Sequence, residues 1–326
     1  MEIVVIIVNY KSAPLVINCL NSIYNNAYNE LSLTVVIVDN ASNDGSVVVL
    51  NEAISNNDWS DFVKVISSNY NGGFSCGNNL AIEYIEQQNW DVDLYWLLNP
   101  DAEIISAKLT EVKKIFRSSS QIGICGTRVL NESGGVESSA KNFLRPLSEF
   151  FTGARLGLLD SAFPKYLVSI SANNSFHECD WVSGASMFLR KELVKDVGRF
   201  DEEYFLYFEE QDFCRKAKNA GWKVFYSPAI DVMHREGAVT GIKDTEKPKP
   251  KYWFDSRRRY FTKFYGLFGL LLADCFWLLG RLAYKIRVFL CLVKVQKNIP
   301  PQFTEDMIVG DLRSLFSSHK KRNLNE

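Results

Sequence analysis

Histidine is scarce in this 326-residue chain, with three in all, and its seven cysteines include no Cys-x-x-Cys pair. Zinc ribbons and dithiol redox centres need such clusters and lose their basis here. An odd set of scattered cysteines (Cys19, Cys76, Cys125, Cys179, Cys214, Cys275 and Cys291) reads as reduced thiols of a cytosolic protein. Neither Gly-x-Gly-x-x-Gly nor Gly-x-x-x-x-Gly-Lys-Ser/Thr occurs, so a dinucleotide fold and a P-loop lose their usual support. Net charge is also lacking: a formal −1 for the whole molecule argues against a nucleic-acid partner. The N-terminal apolar run, Ile3 to Val8, is short, follows Glu2 and has no positive charge before it, which marks a buried strand and not a signal peptide. What remains is ordinary globular material, 47% hydrophobic and 23% charged, long enough for one large α/β domain or a domain with an appendage.

Ile3–Val8 is an all-apolar, β-branched run typical of a central parallel strand, and Leu15, Cys19, Leu20 and Ile23 then mark one face of a helix. Leu33–Val38, Phe62–Ile66 and Leu94–Leu98 repeat the strand pattern. Each is followed by a polar loop: Asp39–Ser46, Asn69–Asn79 with its Asn71-Gly72-Gly73-Phe74 core, and Asn99–Glu103. Open α/β sheets bind ligands at the carboxyl ends of their strands, where these loops fall. Alternation around Gly134-Gly135 predicts a hairpin between Ile122 and Ala140, and Lys223–Tyr226 a short strand. The irregular, aromatic stretch Phe143–Phe176 suggests a lid.

The densest chemistry lies in Tyr204–Trp222. Glu209-Glu210-Gln211-Asp212 open a helix whose apolar positions are Phe213, Ala217 and Ala220 and whose end is marked by Gly221. Carboxylates there complement the helix dipole, which is explanation enough by itself. The preceding Phe205-Leu206-Tyr207-Phe208 wall adds desolvation, which raises a carboxyl pKa and makes a general base usable near neutral pH. Asp101, between Asn99 and Glu103, offers the hard oxygen that Mg²⁺ or Mn²⁺ prefers alongside phosphate, although it could equally cap a helix or shape a turn. His234 could ligate a metal or be structural. The small residues of Ser183-Gly184-Ala185-Ser186 permit close approach of a ligand or of a packed helix.

Val8–Ser12, Val38–Ser46, Asn71–Asn79, Leu97–Glu103, Asp180–Lys191, Gly198–Trp222 and Arg257–Gly266, in this order, resemble the rhamnosyltransferase-like branch of glycosyltransferase family 2. The resemblance implies a GT-A fold, a mixed, mostly parallel sheet flanked by helices, over residues 1–266. A nucleotide-sugar-binding half (1–105) would precede an acceptor and catalytic half (106–266), with transfer inverting the anomeric carbon. It assigns Asn9, Tyr10, Asp39, Asn71, Gly72, Gly73, Phe74, Asn78 and Asn99 to the donor, with Arg257 and Arg258 clamping diphosphate. Trp181, Ser183, Gly184 and Ala185 fall to the acceptor. Asn99-Pro100-Asp101 occupies the place of the family's Asp-x-Asp metal motif, with Asn for the first Asp, and His234 would complete the shell around Mg²⁺ or Mn²⁺. In the acidic cluster the resemblance makes Glu210 the base, with Glu209 as the alternative and Asp212 in support.

The implied reaction moves a sugar, L-rhamnose from dTDP-L-rhamnose, onto a lipid-linked intermediate of an O-antigen or capsule-type polysaccharide. The alternatives are a UDP-hexose donor or a carbohydrate-binding relative without turnover. Residues 267–326 would be amphipathic helices and a polar tail. Phe264–Gly280 is apolar but broken by Asp274, and Leu282–Val295 mixes Lys285, Arg287 and Lys294 with aliphatic residues. An in-plane hairpin on the cytosolic face of the inner membrane fits that pattern. Packing on the catalytic domain, or on a second subunit of a homodimer, is the alternative. Between Glu246 and Lys297 stand 12 Lys/Arg against 3 Asp/Glu, an excess that invites an anionic partner.

Overall fold

The computed structural model describes residues 1–28, 33–157, 162–170, 174–235, 237, 244, 246–295 and 299–316. The chain divides into two compact units, Met1–Phe143 with Val168–Gly241, and Leu144–Leu167 with Ile242–Glu326.

The first unit opens as four rounds of strand and helix: β1 (Ile3–Asn9), α1 (Ala13–Asn26), β2 (Thr34–Asp39), α2 (Ser46–Asn56), β3 (Val63–Ser67), α3 (Gly73–Gln87), β4 (Leu94–Leu98), β5 (Ala102–Ala107) and α4 (Leu109–Ser118). There follow β6 (Ile122–Leu130), β7 (Val136–Glu137) and β8 (Ala140–Lys141). After the excursion into the second unit come β9 (His177–Glu178), β10 (Trp181–Val182), β11 (Ser186–Arg190), α6 (Lys191–Val197), α7 (Glu209–Asn219) and β12 (Lys223–His234). The main sheet runs β3-β2-β1-β4-β11-β6-β12-β5, with β7 on β6 and β9 on β12; β8 and β10 form a separate pair. The pairs β3-β2-β1-β4 are parallel, β11 is antiparallel to β4 and β6, β12 is parallel to β6, and β5 is antiparallel to β12.

The all-apolar strands are explained by two covered faces. Ile3, Val5 and Ile7 join Val35, Ile37, Trp96 and the inner sides of α1, α2 and α4 in one buried cluster. Their alternates Val4 and Ile6 join Val36, Tyr95 and Leu97 against α3, α6 and α7 in the other. Burying both faces of β1 and β2 leaves no polar alternation to read.

Two elements differ from expectation. β5 occupies residues expected as loop, because its short sequence Ala-Glu-Ile-Ile-Ser-Ala alternates only weakly at the sheet edge. β12 runs to His234 and does not stop at Tyr226. Its register against β6 shifts between Tyr226 and Asp231, a bulge that accommodates Pro228 and carries the strand on to β5.

The second unit contains α5 (Pro146–Ala154), α8 (Lys251–Phe289) and α9 (Phe303–Phe316) around Phe254, Trp277, Phe303 and Met307. The expected lid thus carries a helix of this unit in Pro146–Ala154; residues 158–161 and 171–173 lie outside the described residues. In place of the expected hairpin, α8 is two helices joined at a kink at Gly266 (φ 67), the second running unbroken to Phe289. Leu282, Ala283, Tyr284 and Lys285 continue it because none of them breaks a helix. The boundary expected at residue 266 therefore falls on a kink inside α8.

Candidate active site

Three polar loops at the carboxyl end of the parallel strands lock one another. Asn9, wholly buried, donates its amide to Asp39 Oδ1 (2.7 Å) and to Ser42 Oγ (3.2 Å), while its own Oδ1 receives the Ser12 hydroxyl. Asp39 Oδ2 takes the Ser42 backbone N–H at 3.1 Å. Asn40 donates to Asn71 Oδ1 (2.9 Å) and to Gly73 O (3.0 Å). Asn9 thereby holds Asp39 in place, and Asn78 is likewise internal, its amide on Phe74 O at 2.9 Å. Tyr10 is half-buried with Lys11 Nζ 5.3 Å from its ring centroid.

The glycines of Asn71–Phe74 are required by close approach. Gly73 has φ +76, and a Cβ there would fall 1.7 Å from Phe205 O; a Cβ on Gly72 would fall 2.4 Å from Cys76 Cβ. Phe74 N–H donates to the same Phe205 carbonyl at 3.0 Å. This joins the Asn71–Phe74 loop to the aromatic wall ahead of α7. Within that wall Tyr207 (φ 69) and Phe208 (φ 72) hold left-handed backbone, at a cost of about 1–3 kcal/mol each, immediately before the acidic helix.

The acidic cluster occupies the first turn of α7 as expected. Asp212 Oδ2 accepts the buried Tyr204 hydroxyl at 2.9 Å. Glu209 is 4% exposed, and burial, then the Glu210 charge, then Asp212 push its carboxyl well above the ordinary range. Glu210 is also pushed up by burial, with the backbone N–H groups and Lys141 pulling back. One carboxylate oxygen of each, Oε2, is buried without a hydrogen-bond partner. Carboxylates left this way are poised to take a proton from something that arrives.

The turn Ser183–Ala185 links this helix to the other candidate cluster. A Cβ on Gly184 would lie 3.2 Å from Phe74 Cζ and 3.7 Å from Glu210 Cβ. The next carbonyl, Ala185 O, accepts the Asn99 N–H at 3.0 Å, and the turn is braced by Ser183 N–H on Ser139 O. Beneath it Trp181 is buried, its indole on Asn142 O and Lys141 Nζ 4.6 Å from its ring centroid.

At Asn99, strand pairing completes the second cluster, since His234 of β12 stands opposite Ala102 of β5. His234 Nε2 lies 3.1 Å from Asp101 Oδ1 and 3.2 Å from Asn99 Nδ2, and all three are at least partly buried. A neutral ring nitrogen cannot donate to the carboxylate and accept from the amide at once. With the Asn99 amide turned, its oxygen and the Asp101 carboxylate both face His234 Nε2, a set of oxygen and nitrogen donors of the kind a divalent cation accepts. Among the described residues no three His, Cys, Asp or Glu side chains cluster at metal spacing.

The expected diphosphate clamp is a different object in the structure. Arg257 is 1% exposed, with Nε on Glu149 and Nη1 on both Asp274 and Asp311, each at 3.0 Å. Arg258 donates to Asp311 and Asp255. These guanidiniums are engaged by carboxylates inside the second unit, and two of those partners, Glu149 and Asp311, are too distant in sequence for spacing to foresee. Sequence reasoning also missed Tyr204, Asn40 and Lys141. Asn40 and Tyr204 sat in stretches already singled out without a role of their own, whereas Lys141 carried no local signal.

Residues 2–266 match the family described as glycosyltransferase like family 2. The chain is a family 2 glycosyltransferase. It is 27% identical over 238 residues to a low-salt glycan biosynthesis hexosyltransferase of Haloferax volcanii, covering 72% of this chain and 67% of that protein. To an N-acetylglucosaminyl-diphospho-decaprenol L-rhamnosyltransferase of Mycobacterium tuberculosis it is 23% identical over 223 residues, 65% of this chain and 69% of the relative. Among solved structures, a mannosyltransferase of Pyrobaculum calidifontis in complex with GDP-Man and Mn²⁺ aligns over 98% of this chain and 88% of its own, with TM-score 0.56 at 14% identity. At that identity the likeness shows the GT-A fold, as expected from the sequence. This family 2 member is a glycosyltransferase, and its curated relatives are named as rhamnosyl- and hexosyltransferases.

Proposed function

We propose that the enzyme transfers L-rhamnose from dTDP-L-rhamnose, with inversion, to a hydroxyl of a lipid-diphosphate-linked glycan intermediate of a surface polysaccharide, at the cytosolic face of the inner membrane. The observation that carries the chemistry is the Gly184–Ala185 turn, which packs on Glu210 at one residue and binds Asn99 at the next. A proton acceptor and a phosphate-side cluster thus meet at one turn, as a single in-line displacement requires.

Glu210 Oε2 takes the proton of the attacking hydroxyl. Burial raises its proton affinity above the ordinary carboxylate range, which makes it a stronger base than an exposed glutamate. Glu209, more deeply buried and repelled by two carboxylates, keeps its own proton to higher pH and leaves the charge at Glu210. Asp212 and Tyr204 fix the first turn of α7. The Phe205–Phe208 wall and Phe74 keep water from the reacting face. Asp101, His234 and Asn99 would hold Mg²⁺ or Mn²⁺, which supplies charge neutralisation for the departing diphosphate when bound. Asp39 and Asn71, with the backbone of Gly72 and Gly73, receive the nucleotide and ribose, and Trp181, Ser183, Gly184 and Ala185 border the acceptor.

The L-rhamnose assignment is supported by the relative named for L-rhamnose transfer to a diphospho-decaprenol-linked sugar. A UDP-hexose donor is the second reading, supported by the hexosyltransferase relative. Thermal unfolding in a panel of nucleotide sugars with Mn²⁺ separates them. The true donor at 100 times its dissociation constant adds about 2.7 kcal/mol of stability. Stabilisation by UDP-hexoses and none by dTDP-L-rhamnose would replace the first reading by the second.

A further inference from the structure

By length and composition α8 could cross a bilayer. In the second unit, however, it is bound along one side. Beyond the Gly266 kink one side of the helix is committed to protein, with Leu270, Ala273, Trp277, Gly280 and Tyr284 buried. Gly280 lies so close to α5 that a Cβ would fall 2.4 Å from Phe150 O, and Asp274 is paired with buried Arg257. A helix fixed by an ion pair and by backbone contact along one side cannot present its whole circumference to lipid.

The opposite side is apolar and open. Phe268, Cys275, Leu279, Leu282, Ile286 and Phe289 recur at helical spacing and are all exposed, Phe268 by 73% and Phe289 by 85%. At 1.5 Å per residue this stripe is about 32 Å long. Leu290, Leu292 and Val295 prolong it past the helix end. Between Cys275 and Val295 the chain carries Arg281, Lys285, Arg287 and Lys294 and no acidic residue. Arg281 and Lys285 border an open groove of about 440 Å³ lined also by Leu278, Leu282 and Phe303. A symmetric contact between two copies over this stripe would bring like charges together. An anionic surface instead complements both the apolar stripe and its cations.

We propose that this face of α8 docks the protein on anionic phospholipid, with the helix in the membrane plane, the stripe among the acyl chains, and the exposed Lys285 and Lys294 at the phosphate level. The proposal deepens the membrane location given above and needs neither donor nor acceptor, so it fails or stands separately from the chemistry.

The test is flotation of the full-length protein with vesicles of phosphatidylcholine alone or mixed with phosphatidylglycerol. The protein should float with the mixed vesicles. Leu279→Gln/Leu282→Gln/Ile286→Gln, all three exposed, should lose binding by about a thousandfold or more, on the order of what three buried aliphatic side chains supply. Lys285→Gln/Lys294→Gln should lose about fivefold per cation on mixed vesicles and little on neutral ones. Circular dichroism of each variant should match wild type. Two results would overturn the proposal: no binding of wild type to mixed vesicles, or unchanged vesicle binding by the triple variant. A dimer that this variant converts to monomer with vesicle binding intact would assign the stripe to a second copy.

Discussion

Glu209 and Glu210 are neighbours in sequence but not in circumstance. Burial acts on both, but Glu209 also meets the charges of Glu210 and Asp212, whereas Glu210 is eased by Lys141 and by backbone N–H groups. The cluster was legible in the sequence as acids after an aromatic run. The difference between its members was not, because Lys141 reaches it from a separate strand pair. The pH dependence of stability follows from the raised proton affinity. A carboxyl whose folded pKa lies above its unfolded one contributes stability that is complete below the ordinary glutamate range and is lost as pH rises toward and through the folded value. Glu209→Gln removes that loss. Its melting temperature should equal wild type near about pH 4 and exceed it at about pH 8, measured by calorimetry. A variant less stable than wild type at the higher pH would show that Glu209 is ionised and stabilising in the folded protein.

Among the elements, β1 to β4 could be read directly because burial on both faces makes them continuous apolar runs. β5 and the far half of β12 could not. Their pairing places His234 beside Asp101, yet it depends on a bulge near Pro228 that periodicity does not encode. The second unit was read least well. Asp274 looked like a polar break in an apolar segment and is instead one of three carboxylates around Arg257. Burial pushes the Asp274 carboxyl up to about 7 against the pull of Arg257. The same sign rule applies, so stability from this cluster is lost as pH rises through about 7. Asp274→Asn should flatten that dependence in urea unfolding, while Arg257→Leu, which strands the carboxylates, should cost about 3–5 kcal/mol. A pH profile unchanged in Asp274→Asn would contradict the protonation argument. Gly73→Ala tests the site loop in the same way. With φ +76 and a Cβ position 1.7 Å from Phe205 O, it should lose donor binding and several degrees of melting temperature, whereas Gly134→Ala, at φ +80 in open space, should lose neither by as much.

At the scale of the whole molecule, seven short motifs in register foretold the family and the GT-A fold, and the family match ends at Gly266, the kink of α8. The motifs marked the acidic cluster and the loops at the strand ends, but in the last of them Arg257 and Arg258, expected on diphosphate, are held by carboxylates. The sequence suggested a membrane surface for the segment beyond the kink, but which side of α8 is packed and which is open came only from the structure. The central claim is that Glu210 and Asp101, carried by separate elements, do separate work. Donor binding by calorimetry with Mn²⁺, measured beside transfer rate in Glu210→Gln and Asp101→Asn, tests it most directly. Glu210→Gln should lower transfer by about 10²–10⁴ with donor affinity nearly unchanged, and Asp101→Asn should weaken donor binding and abolish its dependence on Mn²⁺. Equal loss of donor affinity in both variants would contradict the division of labour.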